Sequence, residues 1–427
     1  MKISYSVLRV LTLAIVAVVV LATLGAVVLG VYGTTGEEFY HSSLSRNTSP
    51  SVPPDELAEL VAGNSGFALD LYQMVRGSDG NIFYSPYSIS LALAMTYAGA
   101  RGTTAQEMAE VLHFTLPQER LHPAFNALDL ALMAQNSENF RLNIANSIWG
   151  QVGFEFKQEF LDVLALNYGA GLRGLNFREN PEAARVRIND WVSEQTNGKI
   201  KDLIPPGAID TLTRLVLTNA IYFNAVWRYP FSENLTSDGA FTLLDGSQVM
   251  VPMMSWPEGE LTRYARGEGY LAVELPYQDT TAAMLVILPE SFEEFESGLT
   301  SERLREIVDS LESQNVVVKM PKFRFEFPLD LTETLAGMGM ATAFSDQADF
   351  TGMAEDRLQI SKVLHKAFIS VDEKGTEAAA ATAVIMELTA VLPPPITVSI
   401  DRPFFFLIHD TSTGAILFLG RVLDPSS

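Results

Sequence analysis

Cysteine is absent from the 427 residues. Disulfides, thiolate metal sites and cysteine nucleophiles are therefore excluded. The compartment stays open, because an exported protein need not carry disulfides. Positive charge is scarce: 29 Lys and Arg stand against 51 Asp and Glu, a formal charge of -22. So acidic a surface repels phosphate backbones and argues against a nucleic-acid partner. Histidine is sparse, and His41, His113, His122, His365 and His409 never pair at metal-ligand spacing. No G-x-S-x-G elbow, phosphate-binding loop or H-E-x-x-H is present. Gly267-Glu268-Gly269 begins a G-x-G but lacks the third glycine of a dinucleotide turn. Acidic pairs abound, but on this surface they read as solvated faces. The chain offers no motif for an enzyme, a metal or a cofactor.

One long apolar run is present. Lys2 and Arg9 precede the uncharged residues Val10 to Tyr32. As a helix this run extends about 34 Å at 1.5 Å per residue, enough for a bilayer core of about 30 Å. A secretory signal has a shorter apolar core, about 7–15 residues, and a small-residue cleavage site, which Val31 and Gly33 match poorly. Residues 1–32 are expected to be an uncleaved anchor, with a cleaved signal as the alternative. The preceding positive charges place the rest outside the cytoplasm. Residues 33–54 turn to Ser, Thr, Gly and Pro without apolar period and read as a flexible tether.

Residues 55–427 contain no linker and no 20–50-residue repeat. They mix helical and strand patterns, which predicts one large α+β domain. Leu57, Leu60, Val61, Ala68, Leu71, Tyr72 and Val75 share a helical face within 55–75. Helices are also expected over 88–98, 104–112 and 181–195, the first two broken at Gly99 and Gly102. Strands are expected over 214–224, over 284–288 and around Phe323, Phe325 and Phe327, with a hairpin at 404–409 and 415–422.

The stretch Glu373-Lys374-Gly375-Thr376-Glu377-Ala378-Ala379-Ala380-Ala381-Thr382-Ala383 is locally odd. Propensity alone makes 377–383 helical, yet the segment has no bulky face to hold a helix to a core. Small side chains could instead slide between two existing strands; a flexible Ala-rich loop is the other reading. Thr376, Ala378, Ala380 and Thr382 share one face at strand period. From Thr376 to Thr389 the chain spans about 46 Å if extended.

These residues resemble the hinge of the serpins, the serine-protease-inhibitor family. Other stretches agree in the family's order. They are Asn81-Ile82-Phe83-Tyr84-Ser85-Pro86-Tyr87-Ser88-Ile89, Ile188-Asn189-Asp190-Trp191-Val192 with Thr196-Asn197-Gly198-Lys199-Ile200, and Leu217-Thr218-Asn219-Ala220-Ile221-Tyr222-Phe223 with Trp227, Pro230 and Phe231. Val251-Pro252-Met253-Met254, Met320-Pro321-Lys322-Phe323, Ser361 to Lys366, Arg402-Pro403-Phe404 and Leu419-Gly420-Arg421-Val422 follow. Together they cover about residues 55–425, and the chain reads as a prokaryotic-type member with an N-terminal anchor or signal.

The resemblance implies three β-sheets with eight or nine helices and an exposed reactive-centre loop. It implies a metastable suicide substrate: a target serine protease, or a papain-like cysteine protease, attacks the loop, and the freed hinge inserts into the central sheet. The inhibitor is then consumed in a covalent complex, as a monomer without cofactor or metal. By the same resemblance Glu373, Gly375, Thr376, Glu377, Ala378, Ala379, Ala380, Ala381 and Thr382 form the hinge. Ser85, Ser88, Asn219 and His365 match the shutter, and Trp227 with Gly375 the breach. The common loop length puts the attacked bond at Thr389-Ala390; the loop is about three residues longer than usual, so Leu388-Thr389 and Met386-Glu387 are alternatives. No basic residue precedes these bonds, so elastase-like or subtilisin-like targets are expected. Heparin-activated members carry basic residues on the fourth helix; 123–140 has none, so no heparin-like activator is expected. A non-inhibitory serpin, acting as a binding or chaperone module, is the alternative reading.

Overall fold

β-Branched and aromatic residues fill Leu215–Val226, a strand at the centre of a seven-stranded sheet. The computed structural model describes residues 37–377 and 393–427. In chain order the strands of this sheet are β1 (Glu38–Tyr40), β2 (Phe140–Gln151), β3 (Leu172–Leu175), β4 (Leu215–Val226), β5 (Phe323–Asp330), β6 (Lys362–Val371) and β7 (Gly375–Thr376). Across the sheet they run β1-β3-β2-β4-β7-β6-β5. β4 and β6 also pair directly and in parallel, from Val216 opposite Lys362 to Ile221 opposite Ala367.

Alternation divides these strands between two cores. Leu217, Ile221 and Phe223 of β4 face the large core, which includes the helix Pro86–Tyr97. Val216 and Ala220 face a smaller one beneath the helix Pro181–Gln195, where Trp149 meets Trp191 edge-on at 5.4 Å. The remaining strands join into one ten-stranded ladder rather than two sheets. The joint is the strand Glu312–Pro321. Its first half bonds to Glu260–Gly267, and its last three residues bond to Gln248–Ser255. With nine α-helices among the described residues, the architecture is the α+β fold expected. The expected helices appear as Pro54–Val75, Pro86–Tyr97, Gly102–Val111 and Pro181–Gln195, and the hairpin as Phe404–Asp410 with Ile416–Val422.

The tether expected over 33–54 is a correction. From Glu37 onward the chain is docked on the domain. β1 pairs antiparallel with β3, Glu38 lying opposite Gly174 and Tyr40 opposite Leu172. The Glu37 carboxylate bonds Arg173 at 2.9 Å and Arg187 at 2.7 Å. Arg46 donates to Asn126 at 2.8 Å and to Asp129 at 2.6 Å, and Ser42 donates to Asp162 at 2.5 Å. Specific polar contacts hold this arm without any apolar period. Arg46→Ala is expected to lower stability in denaturant by about 2 kcal/mol, since it strips a charged hydrogen bond from the buried Asp129 carboxylate. An unchanged unfolding midpoint would mean the arm contributes nothing.

The fourth helix is Gln118–Met133, not 123–140, and so includes Arg120, which is bonded to Glu56 at 2.9 Å. The run Val10 to Tyr32 lies outside the described residues. Among those described, no helix is long and apolar enough to cross a membrane.

Candidate functional site

The central sheet is parted at one end only. There β7 sits between β4 and β6, Thr376 lying opposite Ala225 on one side and Val371 on the other. Beyond this point β4 and β6 close on each other. Gly375 and Thr376 thus fill the mouth between the two strands, and Glu377 follows them before the run of small residues begins at Ala378.

Ser85, Ser88, Asn219 and His365 meet where the two strands close. Asn219 and His365 are direct partners across the β4–β6 pair. Ser85 caps the helix Pro86–Tyr97: its hydroxyl accepts from the Ser88 N–H at 3.1 Å and donates to the Leu417 carbonyl at 2.6 Å. The Ser85 N–H donates to Nε2 of His365 at 3.2 Å. The His365 ring must therefore carry its proton on Nδ1, which donates to the Asn219 side-chain oxygen. Asn219 in turn donates to Ser88 Oγ at 2.5 Å and to the Asn146 side-chain oxygen. The cluster is a satisfied, buried network with its tautomer set by its partners.

His365 is 1% exposed. Burial pushes its pKa down to about 3, and burial likewise pushes His122 down to about 4. The unfolded chain takes up these protons near pH 6.5, the ordinary value, while the native protein resists them. Their contribution to stability is complete above that pH and falls as pH drops toward 4 and 3. The slope is up to about 1.4 kcal/mol per pH unit for each histidine. Urea midpoints should decline steadily from pH 7 to pH 5; a flat profile would mean the two rings are not buried neutral.

The filled end of the slot is held by backbone and charge. Trp227 donates its indole N–H to the Asp372 carbonyl at 3.0 Å and its backbone N–H to the Lys374 carbonyl at 2.9 Å. Its ring stacks on Tyr277 at 4.5 Å and 9°. Tyr277 also bonds the Thr376 hydroxyl at 2.7 Å, so the Thr376 face of the hinge points into the large core. Gly375 runs against the backbone of β4, where a Cβ would collide with the Ala225 carbonyl oxygen. Glu373 accepts from Lys322 and from Thr236, each at 2.7 Å. Burial raises its carboxyl, but the bonds to Lys322 and Thr236 outweigh that and leave it below the usual range. Glu377, at φ 59°, meets the Lys199 ammonium, and burial still pushes its carboxyl up. Lys374 reaches Glu233 at 3.6 Å.

Sequence reasoning missed three members. Asn146 of β2 lies opposite Asn219 in the register and completes the polar cluster; β2 also holds Arg141, Asn143, Ser147 and Gln151, so the sequence does not single it out. Tyr277 and the Glu377–Lys199 contact had no local signal, because each joins residues far apart in the chain. Ala378, Ala379, Ala380, Ala381 and Thr382, and the candidate bonds at Met386, Glu387, Leu388, Thr389 and Ala390, lie outside the described residues. The chain is next described from Pro393 and enters the strand Ile396–Ser399 of the second sheet.

A family model described as Serpin (serine protease inhibitor) matches residues 62–425. An uncharacterized serpin-like protein of Thermococcus kodakarensis is 40% identical over 395 residues, covering 90% of this chain and 91% of that one. The leukocyte elastase inhibitor of Sus scrofa is 40% identical over 381 residues, 86% of this chain and 100% of its own. The solved structure of the thermophilic serpin tengpin in the native state superposes with a TM-score of 0.80 at 31% identity, covering 89% of this chain and 97% of that one.

Proposed function

The chain belongs to the serpin family, and on that premise we propose that it inhibits proteases by being consumed as their substrate. A protease serine hydroxyl attacks the loop carbonyl after Thr389, or after one of the alternatives Leu388 and Met386. The peptide bond breaks, the new amine takes the proton, and an ester joins the two proteins. Water would normally cleave that ester and restore the protease. Insertion of the freed hinge outruns it and distorts the enzyme. This protein lends a bond and no catalytic group.

The observation that carries this reading is β7. The hinge already occupies the mouth of the slot, in the orientation that insertion requires. Continuing its antiparallel register places Ala378 between Phe223 and Ile369, Ala380 between Ile221 and Ala367, and Thr382 between Asn219 and His365. In this reading the Asn219–His365 contact is the latch that the advancing strand replaces, Thr382 offering a hydroxyl to both. Small inward residues make the passage cheap. The leukocyte elastase inhibitor likeness and the apolar candidate bonds favour elastase-like or subtilisin-like targets. We place the domain outside the cytoplasm, held by the segment ending at Tyr32.

The test mixes the full chain with elastase-like, subtilisin-like, chymotrypsin-like and papain-like proteases. A complex that survives boiling in detergent is expected, with a released C-terminal peptide whose mass fixes the attacked bond. Cleavage without complex across the panel, with no gain in thermal stability of the cleaved chain, would contradict the proposal and favour a non-inhibitory binding role.

A further inference from the structure

The sheet register fixes where the chain enters the domain. Glu38 lies opposite Gly174, Gly174 opposite Gly150, and Gly150 opposite Leu215. These four residues form one rung across β1, β3, β2 and β4. The rung lies at the end of the sheet remote from the hinge, which enters beside Ala225. Continuing the hinge register places Met386 opposite Leu215, on the same rung. The inserted loop therefore ends beside the point where the N-terminal arm begins. Four strand spacings separate Glu38 from Met386, about 19 Å.

That entry point cannot swing aside. Glu37 is pinned by Arg173 and Arg187, β1 is paired with β3, and Arg46 is held by Asn126 and Asp129. The apolar run ends at Tyr32, so Gly33 to Gly36 alone join it to the docked arm. Four residues reach at most about 14 Å. A bilayer holding that run must lie within this distance of Glu37. A trapped protease of about 230 residues has a radius of gyration near 17 Å and a body roughly 45 Å across. Delivered to the Met386–Ala390 end, it needs the space that the bilayer occupies.

We propose that membrane attachment at the native linker length and completion of loop insertion exclude each other. This rests on the inhibitory reading and on the anchor. The anchored protein presents its loop away from the membrane and is cleaved at the normal rate. Insertion then stalls short of the bilayer, water hydrolyses the ester to a loop carboxylate and the free serine hydroxyl, and the protease leaves. Release from the membrane, by cutting ahead of Glu37, switches the same molecule to trapping. The N-terminal segment is thus a brake on inhibition.

The test uses the full chain in lipid nanodiscs, beside a variant with about 70 Gly and Ser residues inserted between Gly36 and Glu37, whose average span of about 45 Å matches a protease. Loop cleavage should be equally fast in both. The share of encounters ending in detergent-resistant complex should be at least fivefold lower at native length. A second arm needs no membrane. Because the chain lacks cysteine, Gly36→Cys gives a single site for biotin and a bulky streptavidin, with and without the insertion. The same loss at native length and the same rescue are expected. Equal complex yields at both lengths, in either arm, overturn the exclusion. Loss with streptavidin but no co-flotation of the chain with nanodiscs overturns the membrane part and keeps the crowded pole. Absence of complex in every preparation overturns the inhibitory reading beneath it.

Discussion

Ala380→Arg is expected to turn the proposed trap into a substrate. If the hinge inserts as proposed, extending the register of Thr376 would bring position 380 between Ile221 and Ala367, both fully buried. A guanidinium there would be buried without a partner, at a cost of several kcal/mol. A barrier raised by about 3 kcal/mol slows insertion roughly 100-fold, while hydrolysis of the ester keeps its own rate. The molecules of inhibitor spent per protease trapped should rise more than tenfold, with loop cleavage unimpaired. Unchanged covalent trapping would show that position 380 never enters the sheet.

Cleavage of the loop is expected to raise the melting temperature by a large margin, on the order of 15 °C. In the uncleaved protein β4 and β6 meet directly over only six residue pairs, and β7 supplies two residues between them. A cleaved hinge can supply about ten more, each bonded on both edges. At a net of about 1 kcal/mol per added hydrogen-bonded residue this is roughly 10 kcal/mol, and a chain of this size gains about 1–2 °C per kcal/mol. Gly375→Val should remove most of this gain, because its side chain would strike the Ala225 carbonyl at the mouth of the slot. Scanning calorimetry of intact, cleaved and variant chains checks both statements.

Legibility in the sequence followed local signal. The helices Pro54–Val75 and Pro181–Gln195 and the strand Leu215–Val226 carry strong periods, and the structure has them within two residues. Of the small hinge face read at strand spacing, Thr376 is bonded to Tyr277, while Ala378, Ala380 and Thr382 lie outside the described residues. The docked arm was not readable. Its three-residue strand and the contacts of Glu37 and Arg46 leave no periodicity, and its Ser- and Pro-rich composition mimics a linker. Asn146 was missed for a related reason. Asn143 and Asn146 lie in the same strand, and only the register sets the second opposite Asn219. The merging of two sheets through Glu312–Pro321 depends on pairing at the two ends of one strand, which no local pattern encodes.

Insertion as proposed requires the hinge to replace the contact between β4 and β6. The structure of the loop-cleaved protein tests it most directly. One continuous strand is expected from Gly375 to about Met386 between β4 and β6, with Thr382 on the rung of Asn219 and His365 and those two side chains no longer bonded to each other. A cleaved structure in which His365 Nδ1 still donates to Asn219 and the strand from Gly375 stops at Thr376 would contradict it.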